Sequence, residues 1–207
     1  MVWLHGGGFF AGSSIEQIAY DGENMSREGD VVVVSLNHRL NVLGYLDLSP
    51  FGEEYEASAN VGSFDMIAAL QWVRDNIAAF GGDPDNVTIF GQSGGGAKVW
   101  TLMQMPAADG LFHKGIVQSG IYEMLGDVEN QDGTQIVEAI LKELGLGRGD
   151  VKQLETIPYD QLAAAKRQLR RSRHQADMSA MNRISAKIMW VIRSIMDSAS
   201  MLRKFRY

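Results

Sequence analysis

An α/β layer fold with a mostly parallel sheet is what the sequence predicts, and three observations predict it. Short apolar, β-branched runs alternate with segments of helical periodicity. Glycine-rich turns stand where those runs end. The composition is that of an ordinary globular protein: 45% of the 207 residues are hydrophobic and 21% charged, which argues against disordered and fibrous chains. The chain has no cysteine, so disulfide scaffolds and thiolate metal sites are excluded. It also lacks the run of about eighteen apolar residues that a membrane-spanning helix needs.

Val2-Trp3-Leu4-His5 is a short strand running into Gly6-Gly7-Gly8. This opening has no basic segment followed by a long apolar stretch, so it is not a signal peptide and gives no address. Residues 15–27 are expected to be helical through Ile15, Ile18 and Met25, although their spacing is irregular. Val31-Val32-Val33-Val34-Ser35-Leu36 is the clearest strand, β-branched as strands buried on both faces tend to be. Ile67, Leu70, Val73, Ile77 and Phe80 step by three and four, predicting a helix over 63–80. Gly81-Gly82 ends it, and Asp83-Pro84-Asp85 turns the chain. Val87-Thr88-Ile89-Phe90 is a third strand, followed by a glycine-rich turn and a helix to about Met105; 114–118 is a fourth strand.

Charge divides the chain in two. Residues 1–160 carry 8 basic and 23 acidic side chains, whereas 161–207 carry 11 and 2. Every glycine lies at or before Gly149. We therefore expect a core over 1–165 and a basic helical tail over 166–207. In the tail, Ile184, Ile188, Val191 and Ile195 form an apolar stripe that could dock on the core, on a partner or on an anionic membrane. The alternative is a shift of reading frame near residue 165. No recognition motif accompanies the basic charge, so no nucleic-acid partner is expected.

Chemistry concentrates at two turns. Gly91-Gln92-Ser93-Gly94-Gly95 fits G-x-S-x-G where a strand hands over to a helix, the context that gives this pattern meaning. Glycines at that bend admit the tight backbone, and the following helix aims free N–H groups at the serine hydroxyl. A phosphate-binding turn is the competing reading. His5-Gly6-Gly7-Gly8-Phe9 can present successive amides to a developing alkoxide. Its spacing, with Ala11 three residues after Gly8, does not fit a dinucleotide loop.

These residues, with Asn37-His38-Arg39-Leu40, Asn60-Val61-Gly62, Gln71-Trp72-Val73-Arg74-Asp75-Asn76 and Phe80-Gly81-Gly82-Asp83-Pro84, resemble the type B carboxylesterases, the cholinesterase-like branch of the α/β-hydrolases. Phe112-His113-Lys114-Gly115-Ile116 and Gln118-Ser119-Gly120 continue the likeness. It is dense to about residue 120 and thinner to about 163. The resemblance implies a partial α/β-hydrolase, a mostly parallel sheet with flanking helices, truncated at both ends. It implies Ser93 as nucleophile, and Gly7, Gly8 and Gly94 as oxyanion-hole donors. It implies a small carboxylic ester as substrate, with no cofactor and no metal. Relatives usually have alanine at position 94 and often glutamate at 92; neither Gly94 nor Gln92 removes a backbone donor. Arg39 and Asp65 match a pair that is buried and ionic in relatives, a structural role.

The resemblance also implies an acid and then a histidine after the nucleophile, each more than a hundred residues on. Both are expected to be missing, since Ser93 is 114 residues from Tyr207. His5, His38 and His113 are expected to be structural, and His174 alone stands on the correct side for a base. An impaired esterase is the expectation; a non-catalytic binding module and a non-functional gene fragment are the alternatives. In the family order, 31–36 and 114–118 become the sheet edges, where bare apolar strands invite self-association.

Overall fold

The computed structural model of the protein describes residues 1–120 and 133–173. His174 and the stripe from Ile184 to Ile195 lie outside the described residues. Four strands, β1 (Val2–Leu4), β2 (Val34–Leu36), β3 (Thr88–Gln92) and β4 (Lys114–Gln118), form one sheet in the order β2-β1-β3-β4. Every pairing is parallel: Leu4 lies opposite Leu36 on one side and Gly91 on the other, and Gly91 opposite Val117. The expected edges are therefore the edges found.

Helices α1 (Glu23–Gly29), α2 (Val42–Tyr45), α3 (Val61–Asn76), α4 (Gly94–Leu102), α5 (Thr134–Glu143) and α6 (Tyr159–Arg173) connect and flank the sheet. On α3 the residues Ile67, Leu70 and Val73, together with Met66, form the buried stripe that the sequence periodicity predicts. They pack with Val2, Leu4, Ile89, Val99 and Leu102 into the principal core. A second cluster joins Val42, Leu46 and Tyr55 to Val137, Ile140 and Leu141 of α5 and Leu162 and Ala165 of α6. α6 crosses residue 165 without a break, and Leu169 packs on this second cluster.

Three expectations change. Residues 15–27 do not form one helix: a 3₁₀ turn spans Ile18–Asp21 and α1 begins only at Glu23. Ile15 and Ile18 are 86% and 91% exposed, so the irregular spacing reflects apolar residues with no face to bury. The strand expected over 31–36 shortens to Val34–Leu36, and it is half-buried at the edge rather than covered on both faces. Parallel pairing with a β1 of three residues limits how much of the valine run can be strand. Phe80, expected on the buried face of the helix, is exposed, because α3 gives way at Ile77 to a 3₁₀ turn that rotates it outward.

Burial orders the expected mutational effects. Ile89, fully buried in β3, should lose about 2–5 kcal/mol of unfolding free energy as Ile89→Ala. Ile18→Ala should stay within about 0.5 kcal/mol of the parent. Urea unfolding of the two variants checks the contrast.

Candidate functional site

Ser93 joins β3 to α4 at φ 55° and ψ −124°, a left-handed backbone that costs a residue bearing a Cβ about 1–3 kcal/mol. The surrounding bonds hold it there. Its N–H donates to the Gln118 carbonyl of β4 at 2.8 Å, and its carbonyl accepts from Ala97 N–H at 3.1 Å. The hydroxyl does not cap α4 and so is not consumed by the helix. Glycine is required on both sides. A Cβ on Gly91 would stand 2.5 Å from the Gly95 carbonyl carbon and 2.7 Å from the Leu4 oxygen. A Cβ on Gly95 would run into the Leu4 carbonyl itself.

The second turn leans against this bend. Gly7 and Gly8 have φ of 85° and 61°, and Phe10 and Ala11 donate to the Gly7 carbonyl at 3.3 and 3.1 Å. Beyond it, Asn41 N–H donates to the Phe9 carbonyl at 2.8 Å. A Cβ on Gly6 would lie 3.8 Å from Ser93 Cβ. The place of a Gly94 Cβ is taken by the N, Cα and O atoms of Gly8. The substitution relative to the usual alanine therefore lets the turn close onto α4. Among the described residues nothing accepts from the amides of Gly7, Gly8 or Gly94. Three donors are left free beside one serine.

No base joins them among the described residues. His5 Nδ1–H donates to the Gly6 carbonyl at 2.8 Å, and His38 Nδ1–H to the Arg39 carbonyl at 2.9 Å. The two rings stack at 5.2 Å. Burial, then the Lys98 charge, lowers both pKa values, that of His38 to about 4. His113 Nδ1 accepts from Val87 N–H at 3.1 Å and ties β4 to the turn before β3. Each of these histidines is committed to backbone.

Arg39 and Asp65 pair as expected, with Nε to Oδ2 at 2.9 Å and Nη2 to Oδ1 at 2.8 Å. The Arg39 side chain is nevertheless 53% exposed, so the pair is not the buried one that the resemblance implies. A cavity of about 350 Å³ lined by Met1, Asp30, Asn86 and Lys114 lies at the opposite end of the strands and has no part in the site.

One residue escaped the sequence reading. Lys98 of α4 is 0% exposed, the largest fully buried side chain among the described residues, and its Nζ donates to the His5 carbonyl at 2.8 Å. Burial lowers its pKa to about 7. Its signal was a lone charge in the helix Gly94-Gly95-Gly96-Ala97-Lys98-Val99, where every neighbour is small or apolar.

A parallel sheet with a strained serine at a strand-to-helix bend and a glycine turn beside it defines an α/β-hydrolase of the esterase type. The model of the carboxylesterase family matches residues 1–192, and the chain belongs to that family. The para-nitrobenzyl esterase of Bacillus subtilis is 46% identical over 170 residues, which is 82% of this chain and 34% of that protein. Human carboxylesterase 3 is 45% identical over 63% of this chain and 22% of its own length. Among solved structures, a Clostridium hathewayi esterase that can hydrolyse aliphatic aromatic polyesters superposes with a TM-score of 0.79 at 60% identity, covering 84% of this chain and 35% of that one. A Geobacillus stearothermophilus carboxylesterase gives 0.73 at 44%, covering 81% and 35%. The chain thus spans about a third of the first of these relatives, 34%.

Two outcomes follow from this geometry. Gly95→Ala should destabilise by about 3 kcal/mol, because the clash is with backbone of the central strand and not with a side chain that can turn away; chemical denaturation measures it. Stability should also rise with pH between about 7 and 10. In that window the unfolded lysine still binds its proton (ordinary pKa about 10.4) while native Lys98 has lost it. The slope is at most about 1.4 kcal/mol per pH unit, and Lys98→Met should flatten it.

Proposed function

We propose that this chain carries the nucleophile and the oxyanion hole of a serine carboxylic-ester hydrolase. Ser93 Oγ attacks the ester carbonyl, the alkoxide that forms is held by the amides of Gly7, Gly8 and Gly94, and collapse expels the alcohol and leaves an acyl-serine for water to cleave. The observation that carries this reading is a strained serine whose neighbour Gly94 lies against the Gly7-Gly8 turn, with the amides of all three glycines unpartnered among the described residues. The substrate is a small carboxylic ester, the class suggested by the esterases to which the chain is similar.

Activity is proposed to be impaired, because the described histidines are all tied to backbone. An oxyanion hole and binding alone retain about 10³–10⁴-fold catalysis over water. A fluorophosphonate should therefore label Ser93 slowly, and Ser93→Ala should abolish both the label and the residual cleavage of p-nitrophenyl butyrate. Absence of any labelling would favour a non-catalytic binding module or a non-functional gene fragment. Full esterase rates lost in His174→Ala would show that a base is supplied after all.

We also propose that copies of the chain associate through the sheet edges. β4 is mostly exposed, including Ile116 at 43%, and has no proline to block pairing. Ile116→Lys should shift sedimentation toward monomer with little change in unfolding free energy.

A further inference from the structure

The turn that carries Gly7 and Gly8 is tied down at both ends. After the glycines, Asn41 holds the Phe9 carbonyl through its N–H at 2.8 Å and the Phe10 carbonyl through its side chain at 3.4 Å. Before them, the only tie from α4 through a side chain among the described residues is the bond from Lys98 Nζ to the His5 carbonyl. α4 is also the helix that supplies Gly94. The bond thus joins the two pieces of chain that the proposed oxyanion hole requires to stay in register.

We propose that Lys98 is a positioning residue for the oxyanion turn: by anchoring the His5 carbonyl to α4 it keeps the Gly7, Gly8 and Gly94 amides in one rigid arrangement about Ser93. The inference rests on the reading of those amides as the hole. A packing role alone does not account for an amine here. Leucine or methionine would fill the same volume without the penalty of a buried cation that pairs with no carboxylate among the described residues. The other side of the ledger is a charge-assisted hydrogen bond, about twice as strong as a neutral one.

The surroundings keep the assignment clean. His5 and His38 are the described titratable groups whose pKa values feel the Lys98 charge, and burial and Lys98 lower both from the ordinary histidine value. Behind them stand Tyr45 of α2, its hydroxyl 3.5 Å from His38 Nδ1, and Asp65 of α3, bonded to Arg39. Glu16 acts on His5 from the loop after the turn. β3 bears no titratable side chain. On β4, Lys114 bonds Asn86 at the far end of the strands; Arg74 and Asp75 of α3 pair with each other in solvent. Near pH 7 Lys98 loses its charge, whereas His38, lowered to about 4, is neutral there.

Two readouts on the full chain test the proposal. Hydrogen exchange of the peptide covering residues 5–12, corrected for intrinsic rates, should be about tenfold faster in Lys98→Met, the loss of one hydrogen bond, while exchange in α3 stays as in the parent. In the parent, protection of that peptide should rise with pH from about 7 upward, because the buried amine sheds there the proton that it would take up again on opening to water; in Lys98→Met the profile should be flat. Ser93 phosphonylation by a fluorophosphonate should slow about tenfold in the same variant. A parent that never labels sinks the esterase reading and leaves the exchange experiment to judge the anchor. Unchanged exchange in Lys98→Met overturns the proposal. Should that variant not fold, the parent profile decides alone: no rise from about pH 7 upward at residues 5–12 overturns it.

Discussion

The structure depends on how closely the first turn of α4 approaches the end of β1. Helix packing ordinarily keeps side chains between elements, but here the Leu4 carbonyl occupies the space that a Gly95 side chain would fill, and Gly91 is pressed between Gly95 and the same carbonyl. That contact brings the strand that ends at Leu4 and the helix that begins at Gly94 side by side. Ser93 has no relaxed conformation available between them. Its left-handed backbone is what remains once the glycines on either side have been used to make the approach possible.

The same approach explains why the two glycine turns belong together. The turn over residues 5–8 can rest on α4 only because Gly94 also lacks a side chain, and its amides stay free because the local bonds are made by the Gly7 carbonyl rather than by the Gly7 and Gly8 N–H groups. On the proposed reading, amides held without acceptors in this way are preorganised for a negative oxygen.

Much of this was legible in the sequence because it resides in residues with a single physical reason for being there. The G-x-S-x-G bend is written in glycines that nothing else can replace, and the α3 stripe of Ile67, Leu70 and Val73 is a helical period that only burial explains. What failed were patterns whose meaning is tertiary. Val31 to Val33 have the composition of a strand, yet a strand extends only as far as its neighbour, and β1 is three residues long. Val33 is instead drawn against Gly22, where a Cβ would stand 2.5 Å from its own. Ile15 and Ile18 are apolar without being covered, a circumstance that no local spacing records. Lys98 was overlooked because a lysine in a sequence is assumed to find water. In this helix its stem has nowhere to go but inward, past Gly95 to the carbonyl of His5.

On the proposed reading the site is built from two kinds of part. The anion-holding part is backbone: its donors are fixed by φ angles and by close packing, so a compact run of strand, turn and helix suffices to define it. The proton-moving part has to be a side chain with a pKa near neutrality and a free ring nitrogen facing the serine. His5 and His38 stack on each other, and neither offers such a nitrogen. Each spends Nδ1 on a neighbouring carbonyl, and Nε2 of each is buried with no partner, in a cluster whose burial and Lys98 charge disfavour the imidazolium a base must become. The amine that stabilises the turn therefore works against either histidine as a base. Holding the oxyanion turn in place and accepting the serine proton are opposed demands on this side of Ser93, which is a physical reason for the base to approach from elsewhere.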